Sequence, residues 1–385
     1  MYRKKLVFWS ACLGIFLFGI GLITLGSVAP DLRMKFKLDE IASGTMFSIL
    51  PFGILTGSLL FGPIVDKYGY KLLLSVSCVL LGAGFEGIAF SGTTALLKAC
   101  IFLVGLGGGA INGSTNALVS DISERDKGAN ISLLGVFFGI GALGMPLLLG
   151  ILEKKLSFSI IVASIGFLSF TTAGFFLFIR MPDPKQRQGF PLRESLKFFN
   201  DGFLILVAFF LFFQSSFEGI INNWTTTYMI EEFKAEQSTA LYSLSLFVSG
   251  MAVMRLLMGT ILRNTPTWKI LIASFIFLLT GLTAIGTGIS MSLVMTGYMI
   301  LGAGLAGGFP IMLGFVGERY TALSGTAFSF VFFIALLGNM IINYGMGIIS
   351  KNLGIGHLVT VAFCETLIMI VLCIFILRKT REKAK

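Results

Sequence analysis

The sequence predicts an all-α integral membrane protein, with twelve transmembrane helices in two pseudo-symmetric six-helix bundles. Three observations carry this reading. First, 55% of the 385 residues are hydrophobic and only 12% are charged, against about 25% charged in an average soluble domain, and the mean hydropathy is +0.91. Second, the apolar residues fall in runs of about 20, the length a helix needs to cross a bilayer, which argues against a β-barrel. Third, landmarks in the first half of the chain recur in the second.

The twelve spans are read at 6–30, 41–62, 71–91, 95–119, 130–152, 157–180, 201–230, 238–262, 268–290, 293–317, 322–350 and 357–378. The first run is too long for a signal peptide and no small-residue cleavage site ends it, so it counts as a span. The connections are short except for 181–200. Pro182 and Pro184 end the sixth span there, because proline lacks the N–H that a helix interior requires. Pro191 to Phe199 then reads as a short amphipathic surface helix. The expected organisation is a first bundle at 1–180, a linker at 181–200 and a second bundle at 201–385.

The repeat is visible in particular residues. Gly62 to Leu74 has a degenerate echo at Gly259 to Lys269. Ser123-Glu124-Arg125 is matched by Gly317-Glu318-Arg319, and Gly144 by Gly338, at one common offset. The glycine runs 105–109 and 302–308 correspond with a small shift. Parallel six-helix repeats imply a pseudo-two-fold axis along the membrane normal, with a central site between the halves.

The net charge is +10, which in a soluble protein would suggest a nucleic-acid partner. Its distribution says otherwise. With a cytoplasmic N-terminus, Arg3, Lys4, Lys5, Lys67, Lys71, Arg180, Lys185, Arg187, Arg319, Arg378 and Lys379 all fall on inner segments. This is the positive-inside pattern, and it places both termini in the cytoplasm and the protein in the cell (inner) membrane. The five cysteines lie in apolar runs and read as buried thiols. The inventory also opposes an enzyme. Gly105 to Gly109 lacks the Lys-Ser/Thr of a phosphate-binding loop, the single His357 lies near a span end, and no metal-ligand cluster occurs. No cofactor is expected. The expected partners are a small-molecule solute and the lipid bilayer, not nucleic acid, and the chain is expected to act as a monomer.

The turn between spans two and three reads Gly62-Pro63-Ile64-Val65-Asp66-Lys67-Tyr68-Gly69-Tyr70-Lys71. Its pattern, Gly-x-x-x-Asp-Lys-x-Gly-Tyr-Lys, resembles the loop joining helices 2 and 3 in the major facilitator superfamily. The resemblance extends over the whole chain through the span count and the repeat. It implies the major facilitator fold, transport by alternating access, and a cavity faced by spans 1, 4, 7 and 10. It also implies that Gly62, Asp66, Lys67 and Gly69 form a gating latch on the inner side; the alternative is a solvated turn. The echo at Gly259 to Lys269 has no Asp, so a weaker latch or none is expected in the second half.

Candidate site residues are the polar groups within spans. In span seven, Gln214, Glu218, Asn222 and Thr225 share one helix face. An ionisable group in a membrane is costly unless it meets water, a partner or a cargo, so Glu218 is the leading candidate for solute binding and ion coupling. Trp224 is either an interface anchor or a ring for a sugar face at the outer rim. Asn112 and Asn116 in span four, and Asn339 and Asn343 in span eleven, are amide pairs four residues apart. They suit either solute hydroxyls or helix–helix hydrogen bonds. Arg255 in span eight needs a carboxylate or carbonyls, with Glu218 as a candidate partner in coupling. Glu86 and Glu365 are further intramembrane acids in spans that the family resemblance places at the periphery.

Glu218, Trp224 and Tyr228 form a Glu-x-x-x-x-x-Trp-x-x-x-Tyr pattern similar to the superfamily branch that contains fucose–proton symporters and sodium-dependent glucose carriers. That implies import of a sugar or similar polar solute, coupled to H⁺ or Na⁺. Span one has no mid-membrane acid, unlike the fucose symporters. The alternative is a proton-coupled exporter of hydrophobic compounds, because Gly139 to Gly150, with Pro146, loosely resembles the antiporter motif of efflux members. A non-transporting receptor on the same fold is a third reading.

Overall fold

The computed structural model describes residues 2–123, 127–183, 201–262, 264–320 and 324–384. Among these residues the structure is helical, with no strand. The elements are α1 (Lys4–Ser27), α2 (Ala29–Phe36), α3 (Glu40–Phe90), α4 (Thr94–Ile122), α5 (Lys127–Leu152), α6 (Phe158–Phe178), α7 (Gly202–Phe233), α8 (Gln237–Gly259), α9 (Thr267–Thr287), α10 (Met291–Leu305), α11 (Gly308–Arg319), α12 (Ser324–Leu353) and α13 (Leu358–Ala384), with a 3₁₀ turn at Ile355–His357. The segment 191–199, read as a surface helix, lies outside the described residues.

Among the described residues, 11 helical segments are long and apolar enough to cross a membrane. One of them makes two crossings. At 51 residues, α3 would be about 75 Å long if straight, more than twice a hydrocarbon core of about 30 Å. It breaks at Gly69, where φ is 76° and ψ 169°, a left-handed conformation that glycine adopts without a Cβ clash. The total is therefore twelve crossings, and the chain is a multi-pass membrane protein.

The tenth crossing is interrupted: α10 ends at Leu305 and α11 begins at Gly308. Pro310 supplies the cause, since it has no N–H to give the carbonyl one turn back. A side chain from α7 serves this interruption, as described below.

The chain forms two compact units, Met1–Leu38 with Met46–Phe190, and Asp39–Thr45 with Pro191–Lys385. The short stretch 39–45 is an addition to the expected second bundle. Within that unit Asp39 pairs with Lys351 of α12 at 3.1 Å, and a Cβ at Gly44 would come within 2.8 Å of the Asn343 carbonyl oxygen.

Each unit is built on a glycine-lined helix. In the first, Gly105 of α4 leaves no room for a Cβ against the Leu50 carbonyl in the first half of α3, and a Cβ at Gly107 would lie 2.5 Å from the Ser77 carbonyl in its second half. In the second unit, Gly302 of α10 is pressed in the same way on Phe247 of α8, and a Cβ at Gly304 would lie 2.8 Å from the Ser274 carbonyl of α9. Small residues let membrane helices approach closely, and the packing gained there is a main source of their association.

Candidate functional site

In the first unit, the helical turn before the break at Gly69 carries Asp66, half-buried, and Lys67, exposed. Lys67 Nζ lies 5.0 Å from the centroid of the Tyr68 ring. The buried Tyr70 hydroxyl donates to Asp121 Oδ2 of α4 at 2.7 Å. Asp121 was not singled out in the sequence; it lies 51 residues from Tyr70, and nothing local joins the two.

Asn112 and Asn116 of α4 are both half-buried. Asn116 Nδ2 donates to Asn112 O at 2.8 Å and reaches Asn112 Oδ1 at 3.2 Å. These bonds stay within one helix, so the pair is not spent on holding two helices together.

In the second unit, α7 carries most of the polar chemistry. Asp201 caps it, accepting from the N–H groups of Phe203 at 2.9 Å and Leu204 at 3.2 Å. It also accepts from the Tyr320 hydroxyl, and the Arg319 guanidinium lies 4.4 Å from the Phe203 ring centroid. Burial pushes the Asp201 carboxyl up, but the Tyr320 hydroxyl, the two backbone N–H groups and Arg319 outweigh it and hold the group below its ordinary value. Burial, reinforced by Asp201, raises Tyr320.

Further along α7, Gln214 is buried and its Nε2 donates to Leu305 O at 3.0 Å, at the interruption between α10 and α11. Its Oε1 is enclosed without a hydrogen-bond partner. Glu218, one turn on, is half-buried, and Arg255 of α8 acts on it electrostatically. Arg255 is itself exposed. Asn222, a further turn on, is 6% exposed with Oδ1 unpartnered. Thr225, on the same face, is fully buried, and its Oγ1 has no hydrogen-bond partner among the described residues.

Two expected site groups stand differently. Asn343 is fully buried. It accepts from Asn223 Nδ2 at 3.1 Å and donates to Asn339 O and Oδ1, both at 2.9 Å. Asn339 in turn donates to Ser215 O at 2.9 Å. The four residues form a hydrogen-bonded clamp between α7 and α12, in which the Asn343 amide is held by protein partners. Trp224 is 0% exposed, so its ring is enclosed and not offered at a rim. Ser215 and Asn223 were missed, and their contact with α12 has no signal in sequence spacing.

The sequence profile described as Major Facilitator Superfamily matches residues 11–342. The glucose/mannose transporter GlcP of Bacillus subtilis is 25% identical over 314 residues, covering 77% of each chain. The 4-hydroxybenzoate transporter PcaK of Pseudomonas aeruginosa is 32% identical over 128 residues, but that match spans only 33% of this chain and 29% of the relative. The crystal structure of the nucleoside transporter NupG superposes with a TM-score of 0.78 at 16% identity, covering 98% of this chain and 99% of the other. With the matched residues taking in well over half its length, this chain belongs to the Major Facilitator Superfamily and is a membrane transporter, not an enzyme.

Proposed function

We propose that the protein is a secondary transporter that moves a sugar or similar hydroxylated solute, coupled to H⁺ or Na⁺. The observation that carries this reading is Glu218, a half-buried carboxyl in mid-helix with a cation, Arg255, acting on it. A charge so placed is retained at a cost that function explains better than packing. Gln214 and Asn222 flank it at one-turn spacing, each with an unpartnered amide oxygen, which suits a hydroxyl donor. In the first unit, Asn112 and Asn116 offer amides to the same class of solute. Similarity to a glucose/mannose transporter over 77% of both chains supports a sugar. In this reading Glu218 takes the coupling ion, Arg255 answers its charge, and the turn at Gly62, Asp66, Lys67 and Gly69 gates the inner side.

A second reading, an aromatic carboxylate, is favoured by one feature. Arg255 is exposed in the middle of an apolar helix, and guanidinium suits carboxylate; the PcaK match points the same way.

Uptake by proteoliposomes under imposed H⁺ or Na⁺ gradients separates these readings. Accumulation of glucose, mannose or another sugar supports the first. Accumulation of 4-hydroxybenzoate alone transfers the assignment to the second. Gradient-driven movement of a lipophilic dye, with neither solute class accumulated, identifies an exporter.

A further inference from the structure

Glu365 of α13 is 3% exposed, and its Oε1 is hydrogen-bonded to Ser216 Oγ of α7. Its Oε2 is buried with no partner. Ser216 Oγ also lies 2.9 Å from the Phe213 carbonyl oxygen. A serine hydroxyl has one proton to give, and a carbonyl can only accept. Both contacts are full two-centre hydrogen bonds at once only if Glu365 brings a proton of its own.

Apart from Glu218, the charged groups of the elements packed on α13 sit at their ends: Glu231 and Glu232 on α7, Lys269 on α9, Lys351 on α12 and His357 in the 3₁₀ turn. Tyr228 and Tyr344 are the other titratable groups on α7 and α12. On α13 itself are the thiols Cys364 and Cys373, while Arg378 and Lys379 lie about 20 Å along the axis at 1.5 Å per residue. Glu218 is two residues beyond Ser216 and has Arg255 as its electrostatic partner. Among the described residues, Ser216 is thus the one group that acts on the Glu365 carboxyl.

We infer that Glu365 and Ser216 form a proton-binding site in the second unit, separate from Glu218. In the loaded state Glu365 donates to Ser216 Oγ, and Ser216 donates to the Phe213 carbonyl. On release the carboxyl O–H bond breaks and the proton passes to a water molecule. The Ser216 hydroxyl then rotates and donates to the Glu365 carboxylate, giving up the Phe213 carbonyl. A second polar atom lies near this pair. Met369, one turn along α13, lines a narrow cavity shared with Gln214, Ser274 and Leu305, where Gln214 Oε1 awaits a donor. The adjacent Ser215 is held by Asn339 of α12, so a proton at Glu365 changes the bonding of the α7 turn that ties to both α12 and α13.

Proton binding is read on the purified full-length protein by infrared difference spectroscopy across a pH titration. Wild type is expected to show a titrating protonated-carboxyl band that Glu365→Gln removes and Ser216→Ala shifts in frequency. Identical titrating bands in wild type and Glu365→Gln overturn the inference. Should Glu365→Gln not fold, an unshifted set of bands in Ser216→Ala overturns it equally. A role in coupling rests on the proposed transport reading and is measured separately, as protons moved per solute in proteoliposomes, where Glu365→Gln is expected to lower the ratio. A wild type that titrates at Glu365 yet moves no proton with any solute sinks H⁺ coupling and leaves the site standing. Proton-driven uptake without a Glu365 band does the reverse.

Discussion

The two units share a packing device and differ in what they put inside it. In α4, Gly105 and Gly107 admit the two halves of α3; in α10, Gly302 and Gly304 admit α8 and α9 in the same order. The polar interiors have diverged. In the first unit the amides of Asn112 and Asn116 bond within their own helix, and the helix break is a single glycine, Gly69. In the second, amides clamp α7 to α12, Gln214 tends the break in the tenth crossing, and the spans carry Glu218, Arg255 and Glu365 where those of the first carry Glu86. The skeleton tolerates little change because a Cβ would strike backbone, whereas the polar groups are side chains that can be exchanged one at a time. The shared features are scaffold, and in the proposed reading the divergent ones serve coupling.

The largest expected effect tests the shared skeleton. Gly105→Leu and Gly302→Leu each force a side chain into a neighbouring backbone carbonyl, where overpacking is destabilising. Both variants are expected to give no monodisperse protein by size-exclusion chromatography after detergent extraction. Survival of one and loss of the other would break the claimed equivalence of α4 and α10.

Next in size is the glycine at the helix break of the first unit, Gly69. Gly69→Ala places a Cβ at φ 76° and is expected to cost about 1–2 kcal/mol, seen as a lowered thermal unfolding midpoint. An unchanged midpoint would remove the conformational reason for the glycine.

The cap of α7 follows. Asp201→Asn keeps the capping geometry but removes the charge that Tyr320 and Arg319 answer, and Asp201→Ala also removes the cap, at about 1 kcal/mol. Asp201 is held below its ordinary value, so its charge stabilises the fold above the unfolded carboxyl value of about 3.9, and that contribution is lost as pH falls through the folded value. The difference between wild type and Asp201→Asn is therefore expected to be full at neutral pH and to close on acidification. A gap that widens on acidification would contradict the assignment.

The smallest effect sharpens the divergent part. Asn223→Ala removes one interhelical hydrogen bond to Asn343, and such bonds average about 0.6 kcal/mol in membrane proteins. A slightly lowered midpoint with solute affinity unchanged is expected. A large loss of affinity would return the clamp to the solute site.

Much of the fold was legible in the sequence because a bilayer imposes lengths: runs of about 20 apolar residues, polar turns, and a proline or glycine where a helix must break. The glycine runs were recognised as a repeated feature, and their packing role follows from the partners now visible. Helix facing was less legible. A span that is apolar on every side has no amphipathic stripe to show which neighbour a given residue meets. Asn112–Asn116 and Asn339–Asn343 have the same spacing and the same bond along the helix, yet the second pair also bonds across to Asn223 and Ser215. Arg255 is legible in the sequence as a candidate partner of Glu218, whereas only the structure supplies Ser216 to Glu365.

The most direct test of the central claim compares gradient-driven sugar accumulation with gradient-free sugar exchange in proteoliposomes, for wild type and Glu218→Gln. A coupling role at Glu218 predicts that the variant loses accumulation under the driving gradient while still exchanging sugar across the membrane. Accumulation at the wild-type level in Glu218→Gln would contradict it and remove Glu218 from the coupling step.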